Sequence, residues 1–142
     1  MSTVSDLKRF TDAQQSSFAT ALSEIQNGKK RSHWMWYIFP QIQGLGFSST
    51  AQYYAIRDLN EAKDYLAHPV LGARLKEISE ALLELDGLSA HEIFGYPDDL
   101  KLRSCMTLFR MADLNCEIFE QVLEKYYDGE PDRRTVELAA KL

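Results

Sequence analysis

The stretch KKRSHWMWYIFPQIQGLGFSSTAQYYAI, Lys29 to Ile56, carries both tryptophans of the chain, five further aromatic rings and its one Gly-x-Gly. It starts basic, turns apolar and aromatic, breaks at Pro40, turns at Gly44 and Gly46, and restarts at Ser48-Ser49-Thr50. Ser32 is placed to cap a short helix over 33–39, whose residues leave no polar face, so other elements have to enclose it. Phe39 ends that helix, because the residue before a proline is pushed out of the α region. Gln41 to Phe47 reads as a loop in which Gly44 and Gly46 permit positive φ and close backbone approach. A segment this apolar and this broken does not belong to a plain four-helix bundle. It needs longer helices around it.

Working outward, Phe10, Phe18, Leu22 and Ile25 fall near one face and predict a helix at about 12–27, preceded by a turn at 7–10. Thr11 or Asp12 starts it and Asn27-Gly28 stops it. Downstream, Ser48 or Ser49 caps a helix, and Asp58 or Asn60 starts another that His68-Pro69 breaks. Pro69 then opens a helix at its favoured first position. Val70, Leu71, Leu75, Ile78, Leu82 and Leu85 form a stripe at helical spacing that ends at Asp86-Gly87. Ser89 caps a short helix over 90–94. Asp98 or Asp99 caps one running to about Ala112, whose apolar residues cover most of its circumference and mark it as central. Helices at 116–127 and from Pro131-Asp132 to the end complete the chain. No alternation is long enough to require a sheet. The expected fold class is all-α: a single compact multi-helical bundle of seven to nine helices, several short, with 1–142 one domain and 1–6 a polar leader.

Length and composition narrow the function classes. A chain of 142 residues can bury close to two-thirds of its unfolded surface. A net charge of −5 argues against broad nucleic-acid binding, which needs a basic excess. Lys29-Lys30-Arg31 is a local basic cluster, read as a solvated loop before an anion contact. Cys105 and Cys116 have no C-x-x-C or Cys/His ligand spacing, so neither a disulfide framework nor a structural metal is expected. Both read as small hydrophobes within helices. The N-terminus lacks an apolar signal core, and no stretch approaches the roughly 20 apolar residues of a membrane span. The chain reads as cytoplasmic, with no membrane partner and no cofactor.

Several blocks resemble one known family. They are S-H-W-M-W-Y-I-F-P-Q (Ser32 to Gln41), G-L-G (Gly44 to Gly46), E-A-x-x-Y-L-x-H-P-V-L-G (Glu61 to Gly72), I-F-G-x-P-D-D-x-K-L (Ile93 to Leu102), S-x-M-T-L-F (Ser104 to Phe109) and Y-x-G-x-x-D-x-x-T (Tyr127 to Thr135). Together they resemble a bacterial family catalogued as domain of unknown function 1810, some of whose members are labelled calpastatin. The resemblance spans nearly the whole chain. It implies an all-helical domain of about this size and supplies no catalytic residues. A fainter resemblance links Ser49 to Ala55 with small helical domains that cleave N-glycosidic bonds in ADP-ribose-type or riboflavin-pathway compounds. Ala51-Gln52 stands here where those domains place a Glu-His pair, so the carboxylate of that chemistry is missing.

The candidate site residues are His33, Trp36, Gln41, Gly44, Gly46, Ser48, Ser49, Arg57, Lys101 and Ser104. His33 can act as an acid or base near neutral pH, or simply fix the short helix. Trp34 and Trp36, two apart, cannot share a helix face, so one is core while Trp36 can line a pocket and stack on a ring. Gln41, the Gly44-Leu45-Gly46 turn and Ser48-Ser49 before a helix resemble an anion-facing arrangement, although a turn plus a cap is the simpler reading. Arg57 follows Tyr53-Tyr54 and can pack on them or supply charge. Lys101 sits in the first turn of the central helix, where the dipole disfavours a cation, which points to pairing with Asp98 or to a ligand. Ser104 and Thr107 can bond back to the preceding turn. His68 reads as a polar contact at the helix break.

Two functions follow. In the first, a small anionic, ring-containing ligand such as a nucleotide or an ADP-ribose derivative binds in a pocket built on residues 33–57, with Lys101 and Ser104 nearby. In the second, the aromatic surface is a protein-interaction module without catalysis. A third reading makes the stretch simply core, with Trp34, Trp36 and Phe39 all enclosed. The residues assign no reaction.

Overall fold

Residues 7–141 are described by the computed structural model, and among them ten α-helices form and no β-strand. In chain order these are α1 Lys8–Gln15, α2 Phe18–Gln26, α3 Met35–Ile38, α4 Ser49–Tyr53, α5 Leu59–Ala67, α6 Leu71–Leu83, α7 Ala90–Phe94, α8 Asp98–Ala112, α9 Ile118–Tyr127 and α10 Arg133–Lys141. The all-α bundle is therefore as expected. The helix count exceeds seven to nine because the helix expected at 12–27 is two, parted at Ser16-Ser17. The leader expected at 1–6 lies outside the described residues.

α8 is the axis of the bundle, packed against α5, α7, α9 and α10, while α6 packs against α2, α5 and α9. Six successive residues of α8, Ser104 to Phe109, are buried, so every face of that helix is covered. A chain of rings crosses the core through α8: Tyr54 meets Phe10, Phe10 meets Tyr65 edge-on at 5.2 Å, Tyr65 meets Phe109 at 5.2 Å, and Phe109 meets Phe119 at 6.0 Å. Such tilted and edge-on pairs suit the ring quadrupole and add to the burial of large apolar areas. α6 starts hard against the end of α5. A Cβ at Gly72 would lie 2.1 Å from the Leu66 carbonyl oxygen, so only glycine permits that approach. His68 bridges the break between the two helices, its Nδ1 accepting the N–H groups of Val70 and Leu71 at 3.1 and 3.2 Å. Pro69 thus precedes α6 rather than opening it.

The segment from Lys29 to Asp58 is held differently. Its helices are only four and five residues long, too short to be stable alone. Ile42 and Ile56 form an isolated parallel bridge, with the Gln43 N–H donating to the Ile56 carbonyl and the Ile56 N–H to the Gln41 carbonyl, each at 2.8 Å. That pair closes residues 41–56 into one loop. Other clamps come from outside the segment. Arg9 on α1 donates to the carbonyls of Tyr53 and Ala55 at 2.9 and 2.8 Å and pairs with the buried Glu61 at 3.0 Å. Gln14, buried on α1, donates to the Tyr37 carbonyl at 2.7 Å.

Candidate functional site

Glu24 on α2 sets the approach to the site. Its carboxylate accepts the N–H of Arg31, the N–H and hydroxyl of Ser32, and the Nε1–H of Trp34 at 2.9 Å. Burial pushes this carboxyl up, but the bonds from Ser32, Arg31 and Trp34 outweigh it and hold it at about 2. Ser32 therefore ties down the loop and does not cap a helix. α3 begins two residues later than expected, with Trp34 at its N-cap position. Lys30 is likewise not solvated: its side chain is 9% exposed, its Nζ lies 2.9 Å from Asp98, and it sits 5.1 Å from the Trp34 ring centroid. Trp34 and Phe39 are fully enclosed.

Trp36, on the other face of α3, is only half-buried. It lines a cleft of about 340 Å³ bounded by α3, the turn before α4, and the first turns of α8. Trp36, Gln41, Gly46, Ser48, Lys101 and Ser104 all border this cleft. Six of the ten candidate residues, from three separate parts of the chain, thus meet at one place. Gly44 lines an adjoining cleft of about 600 Å³ with Gln43, Gln52 and Leu138, and Gly46 and Phe47 border both. Gly44 takes φ +102, which favours glycine, and Leu138 packs within 3.2 Å of where its Cβ would be.

The remaining candidates lie elsewhere. Ser49 is the first residue of α4 and lines neither cleft. Arg57 is bound to Glu61 at 3.0 Å, so its charge serves that ion pair and not packing on Tyr53 or Tyr54. His33 is exposed, with no hydrogen bond or ion pair among the described residues. It borders neither cleft.

Within the cleft the polar groups differ in commitment. Ser48 accepts the Ala51 N–H at 3.1 Å and caps α4. Ser104 donates to the Leu100 carbonyl at 3.2 Å and the Asp132 carboxylate at 3.0 Å, while Thr107 bonds back to Arg103 at 2.8 Å. Asp132, which also takes the N–H of Thr135, starts α10 behind that wall. These hydroxyls are structural. Trp36 Nε1–H and the Gln41 side-chain amide have no protein partner among the described residues, and no polar side-chain atom is both buried and unpaired. Both groups therefore reach solvent. Lys101 Nζ lies 5.4 Å from the Trp36 ring centroid and at a long 3.5 Å from Asp98. Three N–H groups of the first turn of α8 are already taken, that of Asp99 by the Gly95 carbonyl and those of Leu100 and Lys101 by the Pro97 carbonyl. Lys101 is thus the cationic element of the cleft, and among the described residues no carboxylate lines it. The acid needed for N-glycosidic cleavage has no counterpart at Ala51-Gln52, where the Gln52 amide donates to the Phe47 carbonyl instead.

Phe47 was not among the candidates, yet its ring is 80% exposed on the ridge between the two clefts, with Leu100 48% exposed across the rim residues. Its sequence signal is a large ring inside a Gly/Ser turn with no periodic apolar partner. Glu24 and Arg9 have no such signal, because their partners lie seven to ten and 44 to 52 residues away.

Comparison with known proteins agrees with this fold. A family model described as "Protein of unknown function (DUF1810)" matches residues 4–139. A solved structure, the conserved hypothetical protein Rv1873 from Mycobacterium tuberculosis at 1.38 Å, is similar with a TM-score of 0.93 and 50% sequence identity, over 95% of this chain and 96% of that one. No curated protein matches. Among the described residues no helix is long and apolar enough to cross a membrane.

Proposed function

The chain belongs to the DUF1810 family of proteins of unknown function, and we propose that it binds a small anionic, ring-containing ligand, of nucleotide or ADP-ribose type, in the cleft between α3, α4 and α8. One observation supports this reading: Trp36, whose indole N–H has no partner among the described residues, holds its ring beside the Lys101 ammonium in a cleft whose serine hydroxyls are already bonded. A ring stacks on apolar and aromatic surface, an anion pairs with the ammonium, and the Gln41 amide offers both a donor and acceptor. The groups are already in place, so little ordering is required on binding.

The exposed Phe47, Tyr96 and Leu100 favour a second reading, a protein-interaction surface. One titration separates them. Thermal unfolding is followed against nucleotides, NAD derivatives, sugar phosphates and carboxylates, since a ligand of the native state raises the melting temperature saturably. Lys101→Ala and Trp36→Ala should abolish the shift, and His33→Ala, away from the cleft, should preserve it. No saturable shift with any compound removes the small-ligand reading and turns the search to a protein partner.

A further inference from the structure

The charges around the cleft restrict what kind of anion it takes. Among the described residues, Lys101 is the single charged side chain lining it. Its partner Asp98 is shared, and the sharing is unequal: Lys30 lies at 2.9 Å and Lys101 at 3.5 Å. Lys30 is nearly enclosed, 9% exposed, whereas Lys101 is 27% exposed. Lys101 can therefore turn to a ligand without leaving Asp98 unpaired. A second negative charge on the ligand would find no second cation. It would face the Asp98 carboxylate beside Lys101 and the Asp132 carboxylate behind Ser104, which is fixed there by its bonds to Ser104 and Thr135. The neighbouring cation of α8, Arg103, is occupied with Glu130 on the far side, bonding to its carbonyl at 2.9 Å. The side-chain donors without a partner among the described residues, Trp36 Nε1–H and the Gln41 amide, are neutral and suit oxygen atoms that share one charge.

We propose that the cleft selects a singly charged group, a carboxylate or a phosphate diester attached to a ring, over a doubly charged terminal phosphate. This rests on the ligand-binding reading above and narrows it, placing cyclic phosphodiesters and carboxylates ahead of ADP-ribose and nucleoside monophosphates, which carry two charges.

The test uses the full chain and two pairs of probes that share a ring and differ in charge: 3′,5′-cyclic AMP against 5′-AMP, and benzoate against phenyl phosphate. At a pH of about 8 the phosphate monoesters carry two charges, their second pKa lying near 6. The member with one charge should bind more tightly in each pair, by roughly five-fold, the effect of one carboxylate about 4 Å away at the dielectric of bulk water. Lys101→Gln should remove binding of both. Asp98→Asn should narrow or reverse the preference, and its melting temperature reports whether Lys30 tolerates the neutral partner. Lowering the pH to about 5.5 should bring 5′-AMP toward the cyclic nucleotide as its phosphate takes up a proton. If the doubly charged member binds as tightly in wild type, the charge inference is overturned and the cleft remains a ligand site. If none of the four probes binds saturably, both are overturned.

Discussion

The α5–α6–α8–α9 core is buried, whereas much of the segment from Lys29 to Asp58 reaches solvent, and different forces hold the two. In the core, Tyr65, Leu75, Ile78, Leu82, Phe109 and Phe119 lose all contact with water and meet each other across helix faces. Burying a side chain of that kind contributes about 1.5–3 kcal/mol, without regard to direction. The segment cannot rely on this alone. Its short helices leave backbone groups without intrahelical partners, and charged or amide side chains from α1, α2 and α5 take them up: Arg9, Gln14, Glu24 and Glu61. Apolar burial sets how stable the protein is. Polar clamps from outside set the shape of the region that forms the Trp36 cleft.

Substitutions can break or sharpen that contrast. The largest effect is expected in the core. Phe109→Ala should lower the unfolding free energy by about 4 kcal/mol, from lost burial and a cavity between Tyr65 and Phe119. Urea denaturation measures it, and the near-ultraviolet signature of Trp34 and Trp36 should persist until the global transition. An early loss of that signal would mean the segment depends on the core as well as on its clamps.

Glu61→Ala comes next, at about 3 kcal/mol, because it removes a buried carboxylate that pairs with the nearly enclosed Arg9 guanidinium. Here the segment should respond first. Hydrogen exchange at the Gln43 and Ile56 amides, which close the 41–56 loop, should accelerate more than exchange in α8. Equal acceleration in both would erase the distinction.

Glu24→Gln should cost about 1 kcal/mol near neutral pH, the charged hydrogen bonds being discounted for solvent screening. Its pH dependence is more telling. The folded protein holds this carboxyl at about 2 against an ordinary 4.5. Its contribution to stability is therefore full above 4.5 and is lost as pH falls from there toward 2. Denaturation midpoints across that window should fall less steeply for Glu24→Gln than for wild type. Parallel curves would show that Glu24 is not a clamp.

Phe47→Ala should change stability by less than about 0.5 kcal/mol, since the ring is exposed and touches little. A melting temperature within a degree or two of wild type is expected, with any ligand-induced shift reduced. A clearly lower melting temperature would place Phe47 among the structural residues.

Much of this molecule can be read along the chain. Helical spacing at Leu71, Leu75, Ile78 and Leu82, the covered circumference of Leu102 to Phe109, and the stops at Asn27-Gly28 and Asp128-Gly129 are local patterns that local physics turns into helices. So was the division of labour between Trp34 and Trp36, because two residues along a helix turn the chain to another face. Boundaries were less legible: Ser32 has the chemistry of a cap, and only the position of Glu24 diverts it. The same holds for Lys30, basic and flanked by charge, which looks solvated until Asp98 arrives from α8. Sequence alone determined an all-helical chain with an aromatic, glycine-punctuated stretch unlike the rest. Tertiary structure alone decided that Trp36, Gln41, Ser48 and Lys101 share one cleft while His33 and Arg57 do not. Helix formation depends on neighbours within a turn, whereas the meeting of residues 36 and 101 depends on how α3 and α8 pack.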